Sequence, residues 1–226
     1  NYANTVWSES EGAFDLTSGV LRRAWDFKSG RVPSQAEIDT LLPLVGWQQV
    51  QWDQHSVYLP LPGMELDFGG CVKEYAADSA AGILHQHNAS AALVDLAGDM
   101  AAVGAPAGER GWPVGIRHPG QRDRAVAQVL LPRGGLASSG DYERCLEIDG
   151  VRYGHILHPR TGWPVQGLVA VSVLAGQCLV AGSSATMAML KPAAEALDWL
   201  DKLGLPWLAI DEDSNCHGSL ARGFAR

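Results

Sequence analysis

The sequence has little that would staple it together or carry it through a membrane. Its four cysteines, Cys71, Cys145, Cys178 and Cys216, are widely scattered and form no CxxC pair or other zinc spacing. That leaves free, buried thiols as the simplest expectation. No apolar run reaches the ~18 residues that a membrane-spanning helix needs. A signal peptide and an early lipid-attachment cysteine are lacking too, but the chain opens on Asn1 rather than methionine, so this says nothing about targeting. No Rossmann GxGxxG, internal repeat, low-complexity tract or linker is present. Basic residues are in deficit, 17 Lys and Arg against 25 Asp and Glu, for a formal net charge of −8. That balance argues against a general nucleic-acid or anionic-membrane surface and leaves room only for a local basic pocket.

What is present is ordinary globular material. The 226 residues are 46% hydrophobic and 19% charged, enough for one large core or two small ones. Eight tryptophans supply flat apolar surface for core and pocket walls. The chain is organised around Leu66 to Asp78, which reads as a strand end, the Gly69-Gly70 turn and a helix. Without β-carbons, Gly69 and Gly70 can let a ligand lie against bare amides. The first free N–H groups of the helix would face an anion there. Lys73 in the first turn opposes the helix dipole, a mismatch that a bound anion would repair. Val72, Tyr75, Ala76, Ser79, Ala80 and Ile83 recur at helical spacing and predict the buried face.

Around that stretch the pattern predicts a short opening helix, a helical face over Leu16 to Phe27, and a helix begun by the Ser34/Glu37 capping box. A β-hairpin follows over Gln49–Trp52 and Ser56–Leu59. Trp25 and Phe27 are expected in the core. Ala91 to Ala97 reads as a strand buried on both faces, with Asp95 and Asp99 near its end. Trp112–Ile116 and Val126–Leu131 read as strands, with Arg117, Arg122 and Arg124 in a solvated loop between them. Asp149-Gly150 marks a second hairpin. Leu168–Ala175 is a buried strand, Leu179–Leu190 a small-residue helix, and Pro192 to Gly204 another helix. Trp207–Asp211 reads as a further strand, and one more pair is expected in the tail from Glu212.

The central stretch, with Glu11 to Gly19 before it and His155-Ile-Leu-His-Pro-Arg-Thr-Gly162 after it, resembles the ApbE family of FAD:protein FMN transferases. The shared order of motifs runs from about Gly12 to the C-terminus, and residues 1–226 would form one such domain lacking the family's N-terminal part. The resemblance implies an α+β (mixed α/β) fold with largely antiparallel sheets and packed helices, in one body or two intertwined subdomains. It implies FAD as substrate, Mg²⁺, and an acceptor protein whose Ser or Thr in an Asp-x-x-Ser/Thr-Gly-Ala-Thr/Ser motif receives FMN as AMP leaves. It also implies a bacterial cell-envelope location, with the cytoplasm left open.

Residue by residue, the resemblance puts flavin contacts at Ala13, Phe14, Asp15, Gly69, Lys73 and Ile156. It puts metal contacts at the Val72 carbonyl and Thr186, and no catalytic residue is assigned. Ser138 and Ser139 match the family's Ser-Gly segment near the flavin. Two positions depart from the pattern: Gly182 stands where the family has a metal-binding aspartate, and His158 where His-Ile-x-Asp-Pro-Arg-Thr-Gly has its aspartate. Gly182 removes the one strong anionic ligand expected, so Mg²⁺ should bind weakly without nucleotide, and Gly182→Asp should strengthen it. The alternative is a non-catalytic FAD-binding or flavin-carrier protein whose metal site is degenerate.

Overall fold

The computed structural model describes residues 1–142 and 144–223. Helix α1, Tyr2–Glu9, leads into a turn at Glu11 and Gly12. The periodic stretch after it is a 3₁₀ helix, Leu16–Arg23, started by the Asp15 side chain. Helix α2, Gln35–Leu41, begins at the expected capping box, with the Glu37 carboxylate accepting the Ser34 N–H at 2.8 Å. The first hairpin pairs β1, Gln51–Trp52, with β2, Val57–Tyr58. Helix α3, Val72–Gln86, follows the glycine turn. Then come β3, Ala92–Leu96, β4, Asp99–Gly104, β5, Trp112–His118, β6, Gln121–Leu131, and β7, Gly134–Gly140. The hairpin of β8, Cys145–Ile148, and β9, Val151–Gly154, turns at Asp149-Gly150, both at positive φ as its two-residue loop requires. The chain ends with β10, Leu168–Ala175, helix α4, Cys178–Met189, helix α5, Ala193–Leu203, β11, Trp207–Asp211, and β12, Cys216–His217.

These elements form two compact units, each visited twice by the chain: Asn1–Phe68 with Arg144–Val165, and Gly69–Glu143 with Gln166–Arg226. The mixed α+β architecture and the antiparallel sheets are as expected, and the two units alternate along the chain.

In the first unit the core gathers around Trp25, 1% exposed, with Ile38 and the rings of Phe27, Tyr153 and Trp163. Its indole N–H donates to the Gly162 carbonyl at 2.7 Å, so the one polar atom of the ring is satisfied. In the second unit a six-stranded antiparallel sheet runs β12-β11-β10-β7-β4-β3. One face, through Ala102, Leu136, Ala170, Leu208 and Ile210, packs on the β5–β6 hairpin. Alternation turns Val171 and Val173, both fully buried, to the other face, where α3 and α4 lie. Gly135 allows α4 to start directly on β7, because a β-carbon there would collide with the Cys178 backbone.

Four expectations need correction. Strand β3 is an edge strand and only half-buried, because antiparallel pairing with β4 leaves its other edge and much of its surface to solvent. Arg117 and Arg124 belong to β5 and β6 rather than a loop, since the hairpin continues to His118 and Gln121; the Arg122 side chain lies outside the described part. Only Cys178 of the cysteines is buried, with Cys71 and Cys145 intermediate and Cys216 exposed.

The fourth concerns α3. Val72, Tyr75 and Ile83 are 49%, 62% and 56% exposed, while Glu74 and Ala77 are the buried residues. The inner face is thus set by a small residue that allows close approach to β4 and α4 and by acids with work to do there. The larger apolar side chains point away.

Candidate functional site

The acids of α3 are placed by its pairing with α4. Asp78 accepts the N–H groups of Cys178 and Leu179 at 2.8 and 2.9 Å, capping α4 from the neighbouring helix. One turn back along α3, Glu74 lies against Gly182, one turn forward along α4, so the two helices run antiparallel here. Thr186 is one further turn along the same face of α4. Its hydroxyl hydrogen-bonds that of Ser139 on β7 at 2.7 Å. On the opposite face of the sheet, Ser138 and Ser172 are cross-strand partners joined through their hydroxyls at 2.7 Å.

Asp99, the first residue of β4, is 2% exposed and forms an ion pair with Lys73; its other oxygen accepts the Ser138 N–H at 3.3 Å. Lys73 therefore already has an anion beside it, supplied by the protein. Burial alone would lower its pKa, but the hydrogen bond and charge of Asp99 raise it, so Lys73 stays cationic. Glu74 is 5% exposed and its Oε2 has no hydrogen-bond partner among the described residues. Its pKa is raised, first by burial and then by the charge of Asp99. A β-carbon on residue 182 would sit 2.6 Å from Glu74 Cγ and 2.7 Å from its Oε1. The space that the sequence suggests restoring with Gly182→Asp is thus filled by Glu74, a residue that sequence reasoning passed over; its one signal was an acid in the first turn of the helix.

Burial, then the charges of Asp99 and Asp78, push the Cys178 thiol far up. It is not a nucleophile. Among the described residues no group of three or more His, Cys, Asp and Glu side chains is placed to hold a metal. A metal here would need hydroxyl, carbonyl or substrate oxygens as well. The acids, Thr186, Ser139 and the Val72 carbonyl are all hard oxygen donors, the set that Mg²⁺ prefers, so the residues fit that ion.

Gly69 opens the second unit just before α3, and the remaining sequence-predicted residues lie in the first unit. The Asp15 carboxylate, 8% exposed, is fully engaged: it accepts the Thr17 N–H and hydroxyl at 2.8 and 2.6 Å and the Trp47 N–H at 2.9 Å. Phe14 is buried and Ala13 half-buried. An open cleft of about 480 Å³ beside them is lined by Trp7, Gly12, Asp15, Gly46 and Arg160, among others. Ile156 is half-buried and its carbonyl accepts the Val165 N–H at 2.9 Å.

His158 makes a turn where its Nδ1 accepts the Arg160 N–H at 3.2 Å and its carbonyl the Gly162 N–H at 2.8 Å. A short aspartate would serve as the same acceptor, so the substitution keeps the turn. Burial, then the charge of Arg160, lowers the His158 pKa below its ordinary 6.5. The neutral ring's contribution to stability is therefore complete above about pH 6.5 and is lost as pH falls through the folded value. Urea midpoints at pH 7.5 and pH 5 should show a fall in the wild type that His158→Asp reduces. An equal fall in both proteins would remove His158 as its source.

The fold and this site define an α+β protein with a glycine turn, a helix N-terminus, a lysine and buried acids grouped on one sheet. A family model described as the ApbE family matches residues 1–208. The chain belongs to that family. It is 36% identical over 175 residues to an FAD:protein FMN transferase of Klebsiella pneumoniae, covering 75% of this chain and 54% of that protein. It is 30% identical over 220 residues to the protein of the same name from Escherichia coli K12, covering 93% and 63%. The crystal structure of the ApbE protein of Thermotoga maritima superposes with a TM-score of 0.87 at 31% identity, covering 96% of this chain and 73% of that one. The chain thus spans between half and two thirds of the length of these curated relatives.

Proposed function

We propose that this chain transfers FMN from FAD to a serine or threonine hydroxyl of an acceptor protein and releases AMP. The family match across residues 1–208 carries the reading. In the reaction the acceptor oxygen bonds to the phosphorus on the FMN side of the diphosphate. The bond from that phosphorus to the bridging oxygen breaks, AMP departs with that oxygen, and the hydroxyl proton leaves to the AMP phosphate or to water. Such a transfer needs positive charge at the diphosphate and a fixed line of approach, more than covalent help from the protein.

Lys73 and the first N–H groups of α3 would supply that charge, with Gly69 and Gly70 letting the phosphates come close. Flavin contacts are proposed at Ala13, Phe14, Asp15 and Ile156, and at Gly69 and Lys73. Because the Asp15 carboxylate is engaged and Phe14 is buried, this segment would meet a flavin through backbone groups and Ala13. The Thr186 hydroxyl and the Val72 carbonyl would help hold Mg²⁺, which supplies charge neutralisation on the diphosphate when bound.

The test is to incubate the protein with FAD, Mg²⁺ and an acceptor domain bearing the motif Asp-x-x-Ser/Thr-Gly-Ala-Thr/Ser. Intact-mass analysis should show the acceptor gaining FMN as AMP appears. An acceptor unchanged in mass at saturating Mg²⁺ would favour a flavin carrier instead. Lys73→Ala should weaken FAD binding by about 1.5–3 kcal/mol, the worth of a hydrogen bond to a charged group. Calorimetry giving the wild-type affinity in a folded variant would take Lys73 out of the site.

A further inference from the structure

We propose that Glu74 is this chain's anionic metal ligand, carrying from α3 the carboxylate that the family resemblance expects at the position of Gly182 on α4. Three observations converge. Glu74 is 5% exposed, yet its Oε2 has no hydrogen-bond partner among the described residues. A buried carboxylate oxygen without a donor is costly unless something cationic completes it. The Glu74 carboxyl lies against the bare Cα of Gly182, with Oε1 2.7 Å and Cδ 2.9 Å from where a β-carbon would be. The two positions therefore compete for one space: a glutamate at 74 requires glycine at 182, and an acid at 182 would require room at 74.

Third, the other hard oxygens are nearby in the fold. Thr186 lies one turn beyond Gly182 on the same face of α4, its hydroxyl shared with Ser139. Asp99 holds Lys73 in an ion pair, and the Lys73 charge acts on Glu74 more weakly than that of Asp99. The ligand preference is for a hard divalent ion such as Mg²⁺ or Mn²⁺. A carboxylate from α3 would supply the charge that the resemblance expects from an aspartate at position 182, while leaving α4 to pack through glycine. The inference rests on the transferase reading only in that FAD phosphates would share the ion.

Mn²⁺ binding to the whole protein, followed by electron paramagnetic resonance with and without FAD, tests this independently of turnover. Wild type should bind Mn²⁺, and more tightly with FAD present. Glu74→Gln keeps shape and should weaken Mn²⁺ by at least the ~10–100-fold that even outer-shell partners of a metal cost. The exchange Glu74→Gly with Gly182→Asp should recover most of the affinity. Gly182→Asp alone should lower the melting temperature, because its β-carbon meets Glu74. Wild-type Mn²⁺ affinity in folded Glu74→Gln would overturn the inference while leaving the transferase reading intact. So would a folded exchange variant that binds no better than Glu74→Gln, or a wild type that binds no Mn²⁺ even with FAD. Mn²⁺ binding that depends on Glu74, in a protein that transfers no FMN, would support the inference and reject only the transferase reading.

Discussion

Trp25→Ala is expected to cost the first unit about 3–5 kcal/mol, the range for emptying a large aromatic site in a core. That is a large fraction of the about 5–15 kcal/mol by which an ordinary domain is stable. The ring is 1% exposed and meets Phe27 at 5.9 Å, Tyr153 at 5.7 Å and Trp163 at 5.3 Å between centroids. Its removal takes those contacts at once and leaves the Gly162 carbonyl without its indole donor. Two chain segments 137 residues apart in sequence are joined there, one of them the loop carrying His158 and Pro159. Trp25→Phe should retain much of the ring packing and lose the hydrogen bond, about 1 kcal/mol. Urea unfolding followed by circular dichroism would decide it. A loss below 1 kcal/mol in the alanine variant would mean that the cluster is not the keystone of this unit.

In the second unit the largest expected effect is Gly135→Ala, at about 3 kcal/mol or more, the upper end of overpacking. The added methyl would meet the Cys178 Cα and N, which are backbone and cannot turn aside. Either α4 lifts from β7 or the strand bends. Both movements pull Thr186 from Ser139 and the Cys178 N–H from Asp78. Stability and FAD affinity should therefore fall together in one variant, measurable by denaturation and by calorimetry under conditions where it remains folded. A variant within 1 kcal/mol of wild type would show that helix and strand give way more easily than their packing implies.

Much of the frame is legible in local sequence because the signals are local. Ser34 and Glu37 satisfy each other's backbone, Asp149-Gly150 takes the two positive φ values of its turn, and Gly204 ends α5 at φ 70. Nothing but near neighbours is needed to read them. The inward face of α3 is different. Its sequence offers Val72, Tyr75 and Ile83 as the apolar stripe, but the face is chosen by Ala77 fitting closely and by Asp78 finding the open N–H groups of a helix 100 residues later. Glu74 was hidden for the same reason. What makes it conspicuous is an empty position on α4, and no periodicity along α3 reports that. The motifs pointed to Lys73 and Thr186, whereas Asp99 showed only as an acid near a strand end. Its pairing with Lys73 is visible only in three dimensions.

The order of strands in the six-stranded sheet also has a cost in time. β7 lies between β4 and β10, but β10 starts at Leu168, after the chain has left to build β8 and β9 in the other unit. During synthesis at roughly 5–20 residues per second, the 35 residues from Gly140 to Ala175 take roughly 2–7 s, and for that time one edge of β7 stays unpaired. That edge is a row of free N–H and C=O groups, the template on which strands from other chains add. A nascent chain is therefore most exposed to aggregation between completion of Gly140 and arrival of β10. Chaperone dependence should be sharpest for variants that slow the intervening β8–β9 turn.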